Sequence, residues 1–311
     1  MATKNARAFS PAGISSFFQI CDTEPDGTPV KDLERIGARG GGFATDKGVL
    51  TEVNVSKSKK KVIQVFINRR PAPEAETTKT VVNMLLEKVG KTYSVTVKHR
   101  VEVPIGAGFG TSGGGALGTA LALSKAVNIN ITYNDIGRIA HVAEVKCRTG
   151  LGTVSGLVVG GCVVVMEPGA PNHGSVDRVP ISPNHHIVAG VFQPRLTREF
   201  LESAEKREAV NEWGQKTLRK IIAEPSLSNF LHSSREFAFK TRLATDRVKK
   251  LMDVAEEAGA VGAAQNMLGE AVHAVVEENK VKKVVQAFER FLPRNRIVVA
   301  KICLHGAQLV K

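Results

Sequence analysis

Apolar residues recur along this chain with two different periods, and the period changes several times. Val49-Leu-Thr-Glu-Val-Asn-Val55 and Lys61-Val-Ile-Gln-Val-Phe-Ile67 alternate at every second position, as half-buried strands do. The lysine-rich stretch 57–61 lies between them, so the two read as a hairpin with a solvated tip. Residues 77–89 switch to helical spacing, with Val81, Val82, Leu85, Leu86 and Val89 on one face. Alternation returns from Tyr93 to Val103, and helical runs follow at 116–126 and 134–146, the second capped by Thr132 or Asn134. Leu157-Val-Val-Gly-Gly-Cys-Val-Val-Val-Met166 is an apolar run broken by a glycine pair, read as a strand reached through a turn. Pro168, Pro171, Pro180, Pro183 and Pro194 punctuate the next stretch, so a domain boundary is expected there, giving 1–180 and 181–311. The remainder reads as a strand at 186–192, helices at 197–223, 226–240 and 245–257, a glycine-interrupted segment at 262–276, a helix at 280–291 and a strand at 296–302. Pattern alone therefore predicts a mixed α/β protein of two domains.

The junction between the strand ending at Val103 and the helix at 116–126 carries the chemistry. Val-Pro-Ile-Gly-Ala-Gly-Phe-Gly-Thr-Ser-Gly-Gly-Gly-Ala, residues 103–116, holds six glycines, two hydroxyls and no charge. A glycine-rich loop feeding a helix start gathers backbone N–H groups at one point, and the helix dipole adds partial positive charge there. That combination cradles phosphate. Thr111 and Ser112 stand at the helix start, where a hydroxyl caps the helix or ligates a phosphate-bound Mg²⁺. A Walker A loop is excluded, since no lysine lies between Arg100 and Lys125. The dinucleotide fingerprint also fails, because no acidic residue follows about 20 positions on at the end of a second strand.

Composition narrows the class. A chain of 311 residues exceeds what one compact core usually holds. No apolar run approaches the roughly 18 residues of a membrane span, and no basic segment followed by an apolar core opens the chain. Cys21, Cys147, Cys162 and Cys303 are far apart in sequence, which argues against a zinc site or disulfide framework and for a reducing cytoplasm. The net charge of +13 invites a nucleic-acid reading. However, the basic runs lack aromatic interleaving and no nucleic-acid-binding motif is present, so polyanionic small molecules are the better match.

Pro104-Ile-Gly-Ala-Gly-Phe-Gly-Thr-Ser112 resembles the ATP-phosphate loop of the GHMP kinases, small-molecule kinases named after galactokinase, homoserine kinase, mevalonate kinase and phosphomevalonate kinase. Phe9-Ser-Pro-Ala-Gly13 resembles the N-terminal motif of that family. Arg39-Gly-Gly-Gly-Phe43, Ile139-Ala-His-Val-Ala-Glu144, Arg148-Thr-Gly-Leu-Gly152 and Pro168-Gly-Ala-Pro171 extend the likeness toward the archaeal pantoate kinases within the family. The resemblance implies an α+β fold of two domains, an N-terminal α/β domain with a left-handed βαβ unit and a ferredoxin-like C-terminal domain. It also implies ATP and Mg²⁺ as cofactors and a cytoplasmic enzyme working on a small hydroxy acid, with no nucleic-acid or membrane partner and with a homodimer as one form of assembly.

Residue by residue, the resemblance assigns Pro104, Gly106, Ala107, Gly108, Gly110, Thr111, Ser112, Gly113 and Gly114 to the nucleotide. It assigns Ser112 and Glu144 to Mg²⁺ and His141 to the active site; Ser15 and Ser16, where the chain departs from the family motif, are candidates to contact the acceptor, and the fork of Arg148 either holds an acceptor carboxylate or phosphate or caps helix carbonyls. Three departures cluster on the acceptor side. Where the pantoate-kinase pattern reads Gly-Leu-Gly-Asp, with that Asp the proposed base, this chain has Thr153. An arginine expected before Pro-Gly-Ala-Pro is replaced by Val163-Val-Val-Met166, and Gly-His-Ile-Thr becomes Gly13-Ile-Ser-Ser16. The expectation is an unchanged phosphoryl transfer to a different acceptor: mevalonate 3-phosphate, phosphorylated on its 5-hydroxyl in an archaeal mevalonate route to isoprenoids, with pantoate as the alternative. Rival readings are a non-catalytic relative that senses a nucleotide or metabolite and a basic nucleic-acid-associated protein.

Overall fold

A computed structural model describes residues 4–193 and 204–311. Its frame is a long antiparallel ribbon. Strands β1 (Lys4–Cys21) and β2 (Gly37–Lys57) pair from Lys4↔Val55 to Cys21↔Gly37. Register shifts at Pro11/Ala12 and Ser15/Phe17 bend it. The bend lets one ribbon serve two cores: Ala8, Val53 and Val55 face one, and Ile14, Phe17, Ile20 and Phe43 face the other. Those shifts also break the alternation that would have revealed β1 in the sequence. Glycines hide the first half of β2, where a Cβ on Gly42 would lie 1.9 Å from the carbonyl oxygen of Ile14.

The expected hairpin between 49–55 and 61–67 does not form. Strand β5 (Tyr93–Val101) inserts between β2 and β3 (Val62–Ile67), antiparallel to the former and parallel to the latter. Val95 and Val97 of β5 are fully buried, whereas β3 buries only Val65 well, so β5 takes the interior place. Past the short strand β4 (Arg70–Pro71), helix α1 (Glu76–Val89) supplies the crossover that a parallel pair requires. Helices α2 (Thr111–Val127) and α3 (Tyr133–Cys147) cover the same face, with Thr132 capping α3 through the N–H of Asp135. The apolar run at 157–166 splits at its glycine pair: Leu157, Val158 and Val159 finish helix α4 (Thr153–Val159), and β6 (Cys162–Glu167) begins after the turn.

Beyond β7 (Ser175–Val179), the chain builds a second sheet. Strand β8 (His185–Gln193) leads to helices α5 (Ala204–Ala223), α6 (Leu227–Lys240) and α7 (Asp246–Glu257). The start of the helix expected from residue 197 lies outside the described residues. The glycine-interrupted segment proves to be a hairpin of β9 (Gly262–Gln265) and β10 (Glu270–Glu277), followed by α8 (Val281–Glu289) and β11 (Ile297–Lys301). This sheet runs in the order β11-β8-β10-β9, antiparallel throughout. The last strand, β12 (Gln308–Val310), returns to pair with β1 of the larger sheet. Phe230 of α6 meets Phe17 and Phe43 edge to face at 5.9 and 5.2 Å, so one aromatic cluster joins ribbon and helices. Among the described residues, no helix is long and apolar enough to cross a membrane.

Candidate active site

The loop after β5 delivers the start of α2 into a cavity of about 820 Å³ between the ribbon, α3, α4 and the β9–β10 turn. Gly106, Gly108 and Gly110 all have positive φ, at 77°, 76° and 56°. These values are open to glycine and strained for other residues. No side chain caps α2: Gly110 is its N-cap, and Ser112 instead turns its hydroxyl toward Thr77 Oγ1 at 3.4 Å. Of the two roles open to these hydroxyls, capping is not realised, because Thr111 and Ser112 are the first two residues of the helix and Gly110 holds the N-cap position. A helix start with no capping side chain, facing a cavity, is a ready anion site.

Glu144 stands beside that start, in the last turn of α3, and is only 2% exposed. A Cβ on Gly113 or Gly150 would fall 2.8 or 2.6 Å from its Oε2, so glycines make room for the carboxylate. Burial pushes its pKa up to about 7, while the hydroxyls of Ser112 and Thr149 pull it back toward the ionised form. Thr149 Oγ1 donates to Oε1 at 3.4 Å. One hydroxyl and one carboxylate, hard oxygen donors lining the same cavity, suit Mg²⁺ that takes its remaining ligands from phosphate and water.

The other sequence-assigned residues divide between the cavity and its wall. Gly106, Gly108, Gly110, Thr111, Ser112, Ser15, Arg148 and Thr153 line the cavity. Pro104, Ala107, Gly113 and Gly114 lie behind the loop, outside the lining. Thr153 opens α4, with its methyl wedged against Gly13 and Gly110. Arg148 has φ 55° and ends α3, donating its N–H to the carbonyl of Val145 at 3.1 Å. His141 is buried behind the lining and donates from Nε2 to the carbonyl of Ile36, a lining residue, at 2.8 Å. Ser16, next along the strand from Ser15, faces the opposite side and meets His273 Nε2 at 2.9 Å.

Sequence reasoning missed two cationic lining residues. Arg39 of β2 donates to the carbonyl of Met166 at 3.1 Å and to Glu167 at 2.9 Å. Arg207 of α5 forks onto Asp22 at 2.7 and 2.9 Å. Arg39 stood in a quoted motif, but Arg207 reads as an ordinary helix charge and gave no signal.

Buried titratable groups give the fold a pH dependence, and three of them, among the described residues, carry large shifts in the acid-to-neutral range. Burial pushes the pKa of His99 down to about 4 and that of His273 to about 3. His99 sits between Thr51 Oγ1 at 2.9 Å and Thr78 Oγ1 at 3.0 Å. Unfolding restores an ordinary pKa near 6.5, so each histidine's contribution is complete above pH 6.5 and is lost as pH falls toward its folded value, at about 1.4 kcal/mol per unit. Glu144 acts in the opposite sense. Its folded pKa is raised from 4.5, so its contribution is present below pH 4.5 and is lost as pH rises to about 7. Between pH 4.5 and 6.5 the two histidines outweigh the one glutamate. Urea midpoints of wild type and His99→Gln across that window should therefore fall with acidification, less steeply in the variant; equal slopes would remove His99 from this account.

Comparison with known proteins follows the same geography. The family model described as the GHMP kinases N terminal domain matches residues 76–161, which hold α1, β5, the phosphate loop and Glu144. The chain is 32% identical to a pantoate kinase of Thermococcus kodakarensis, covering 90% of each chain. It is 28% identical to a pantoate kinase of Methanocaldococcus jannaschii, over 88% of this chain and 94% of that protein. A solved structure, described as a phosphotransferase related to the CoA biosynthesis pathway, superposes with a TM-score of 0.88 at 29% identity, covering 98% of each chain.

Proposed function

This chain belongs to the GHMP kinase family and is an ATP-dependent small-molecule kinase, and we propose that it phosphorylates the primary hydroxyl of a small branched hydroxy acid. The observation that carries the reading is the pairing of Ser112 and Glu144 beside a helix start that no side chain caps, inside one cavity. The backbone N–H groups of residues 106–112 cradle the phosphates of ATP, with the dipole of α2 behind them. Ser112 and Glu144 would hold Mg²⁺, which when bound neutralises phosphate charge. Residues 1–180 would form the nucleotide-binding domain and 181–311 the C-terminal domain, a division supported by the change of sheet between Val179 and His185, although β12 crosses back to the first sheet.

The acceptor would use the rest of the lining, where Thr153, Ser15, Arg39, Arg148 and Arg207 are found. Thr153 carries no carboxylate, so this chain works by positioning and charge neutralisation. With a loose transition state, the acceptor hydroxyl needs little prior deprotonation, and its proton leaves late. Two acceptors have separate support. Pantoate is supported by the pantoate kinases to which nine-tenths of the chain is similar. Mevalonate 3-phosphate, which we place first, is supported by what this chain does differently. An anionic phosphate ester favours Thr153 over an aspartate, and among the described residues Arg39, Arg148 and Arg207 line the cavity, Arg39 and Arg207 in ion pairs with Glu167 and Asp22 that an acceptor anion would have to share.

Initial rates with pantoate, mevalonate, both mevalonate monophosphates and homoserine under one set of conditions decide between them. The expected order puts mevalonate 3-phosphate highest in kcat/KM; a preference for pantoate would reverse the choice. Thr153→Ala is expected to cost about fivefold or less, since the hydroxyl contributes at most one hydrogen bond. Thr153→Asp is expected to weaken a phosphorylated acceptor by repulsion and to spare or improve pantoate. An inactive Thr153→Ala would refute catalysis without a side-chain base at this position.

A further inference from the structure

Behind the phosphate loop runs a buried hydrogen-bond chain that the catalytic reading leaves unused. Ser16 of β1, His273 of β10 and Asn266 of the β9–β10 turn are all buried to within 1% of full. Ser16 Oγ lies 2.9 Å from His273 Nε2, His273 Nδ1 lies 2.9 Å from Asn266 Oδ1, and Asn266 Nδ2 lies 3.5 Å from the carbonyl oxygen of Ala107. Chemistry gives this chain one direction. The Ala107 carbonyl only accepts, so the Asn266 amide nitrogen must face it and Oδ1 must face the imidazole. Oδ1 also only accepts, so His273 carries its hydrogen on Nδ1. Nε2 is then bare and accepts the Ser16 hydroxyl. Burial holds the ring neutral far below physiological pH, so the order of donors does not change with acidity.

The packing around the chain is tight at the same place. A Cβ on Gly108 would lie 2.9 Å from Asn266 Cβ, and one on Gly269 would lie 2.7 Å from the carbonyl carbon of Ala107. Met267 donates its N–H to the carbonyl of Ser15 at 2.8 Å, closing the ring of contacts between ribbon, turn and loop. Ala107 itself sits between the two left-handed glycines Gly106 and Gly108. The Ala107 carbonyl shares its peptide plane with the N–H of Gly108, a cavity-lining residue, so holding that carbonyl fixes the direction of that N–H.

We propose that Ser16, His273 and Asn266 are positioning residues that hold the Ala107 peptide, and with it the N–H groups of the phosphate loop, in the orientation that receives a nucleoside triphosphate. The inference rests on the reading of residues 106–112 as the ATP-phosphate cradle. It moves Ser16 from acceptor contact to loop support, and it couples the second sheet to nucleotide binding.

The test measures binding of a non-hydrolysable ATP analogue and of adenosine to wild type, Ser16→Ala, Asn266→Ala and Gly110→Val. Loss of one link should weaken the analogue about fivefold or more and leave adenosine unchanged, because only the phosphates feel the loop. Wild-type affinity for the analogue in both Ser16→Ala and Asn266→Ala would overturn the inference, as would equal weakening of analogue and adenosine. If the wild type binds no analogue, or Gly110→Val binds it as tightly, the cradle reading falls and the inference falls with it. Nitrogen-15 NMR of the wild-type imidazoles needs no folded variant: His273 should be the neutral Nδ1–H tautomer throughout the neutral range, and an Nε2–H tautomer would overturn the proposal.

Discussion

Glutamine in place of Glu144 is expected to lower kcat by about two to three orders of magnitude and to leave the fold intact. Glutamine has the same shape and can still accept from Thr149, so the pocket left by Gly113 and Gly150 stays filled. What it lacks is the negative charge that makes a hard-metal ligand. Removing a buried carboxylate also removes its desolvation cost, so unfolding above pH 7 should need as much urea as in wild type, or more. The loss would then be one of chemistry and not of folding. Ser112→Ala is expected to lower kcat in the same direction, with the Mg²⁺ concentration for half-maximal rate raised in both variants. Turnover near wild type in both would remove the pair from the metal's surroundings.

Valine at Gly110 is expected to abolish binding of ATP. Gly110 has φ 56°, and its Cβ would lie 2.5 Å from the Thr153 methyl and 3.0 Å from the carbonyl oxygen of Gly13. A β-branched side chain meets both a forbidden backbone region and a packed wall. The loop would have to turn its N–H groups away from the cavity to accommodate it. Calorimetry with a non-hydrolysable analogue measures this directly, with circular dichroism as the control for folding. Retained affinity would mean that the loop only packs.

The phosphate loop was legible because its determinants are local. Left-handed glycines followed by a helix start need no distant partner, and neither do the caps on α3, α6 and α7, where Thr132, Ser226 and Thr245 accept from the backbone three residues on. The separate places of Ser15 and Ser16 were not legible, because the register shift between Ser15 and Phe17 falls on these residues and breaks the alternation of β1. The order β2-β5-β3 was also beyond local pattern, since alternation marks a strand without naming its neighbours, here one antiparallel and one parallel. Which one is flanked by which depends on the burial of Val95 and Val97 under α1 and α2.

By itself, the sequence determined the elements whose energetics close within a few residues: the glycine loop, the amphipathic helices and their caps. It also carried the family likeness that the comparisons bear out. Only the tertiary structure decided which side chains meet across the chain. Asp22 and Arg207 are 185 residues apart, and Ser16 and His273 are 257 apart. Neither pair leaves a periodic or compositional trace. Ser16 and His273 are selected by burial, which makes an unpaired polar group costly wherever its partner lies in sequence, while Asp22 and Arg207 meet as a half-buried ion pair that only the packing of α5 on β1 brings together. Local propensity chose the parts of this kinase, and the requirement to satisfy buried polar groups between its two sheets chose how those parts support the phosphate loop.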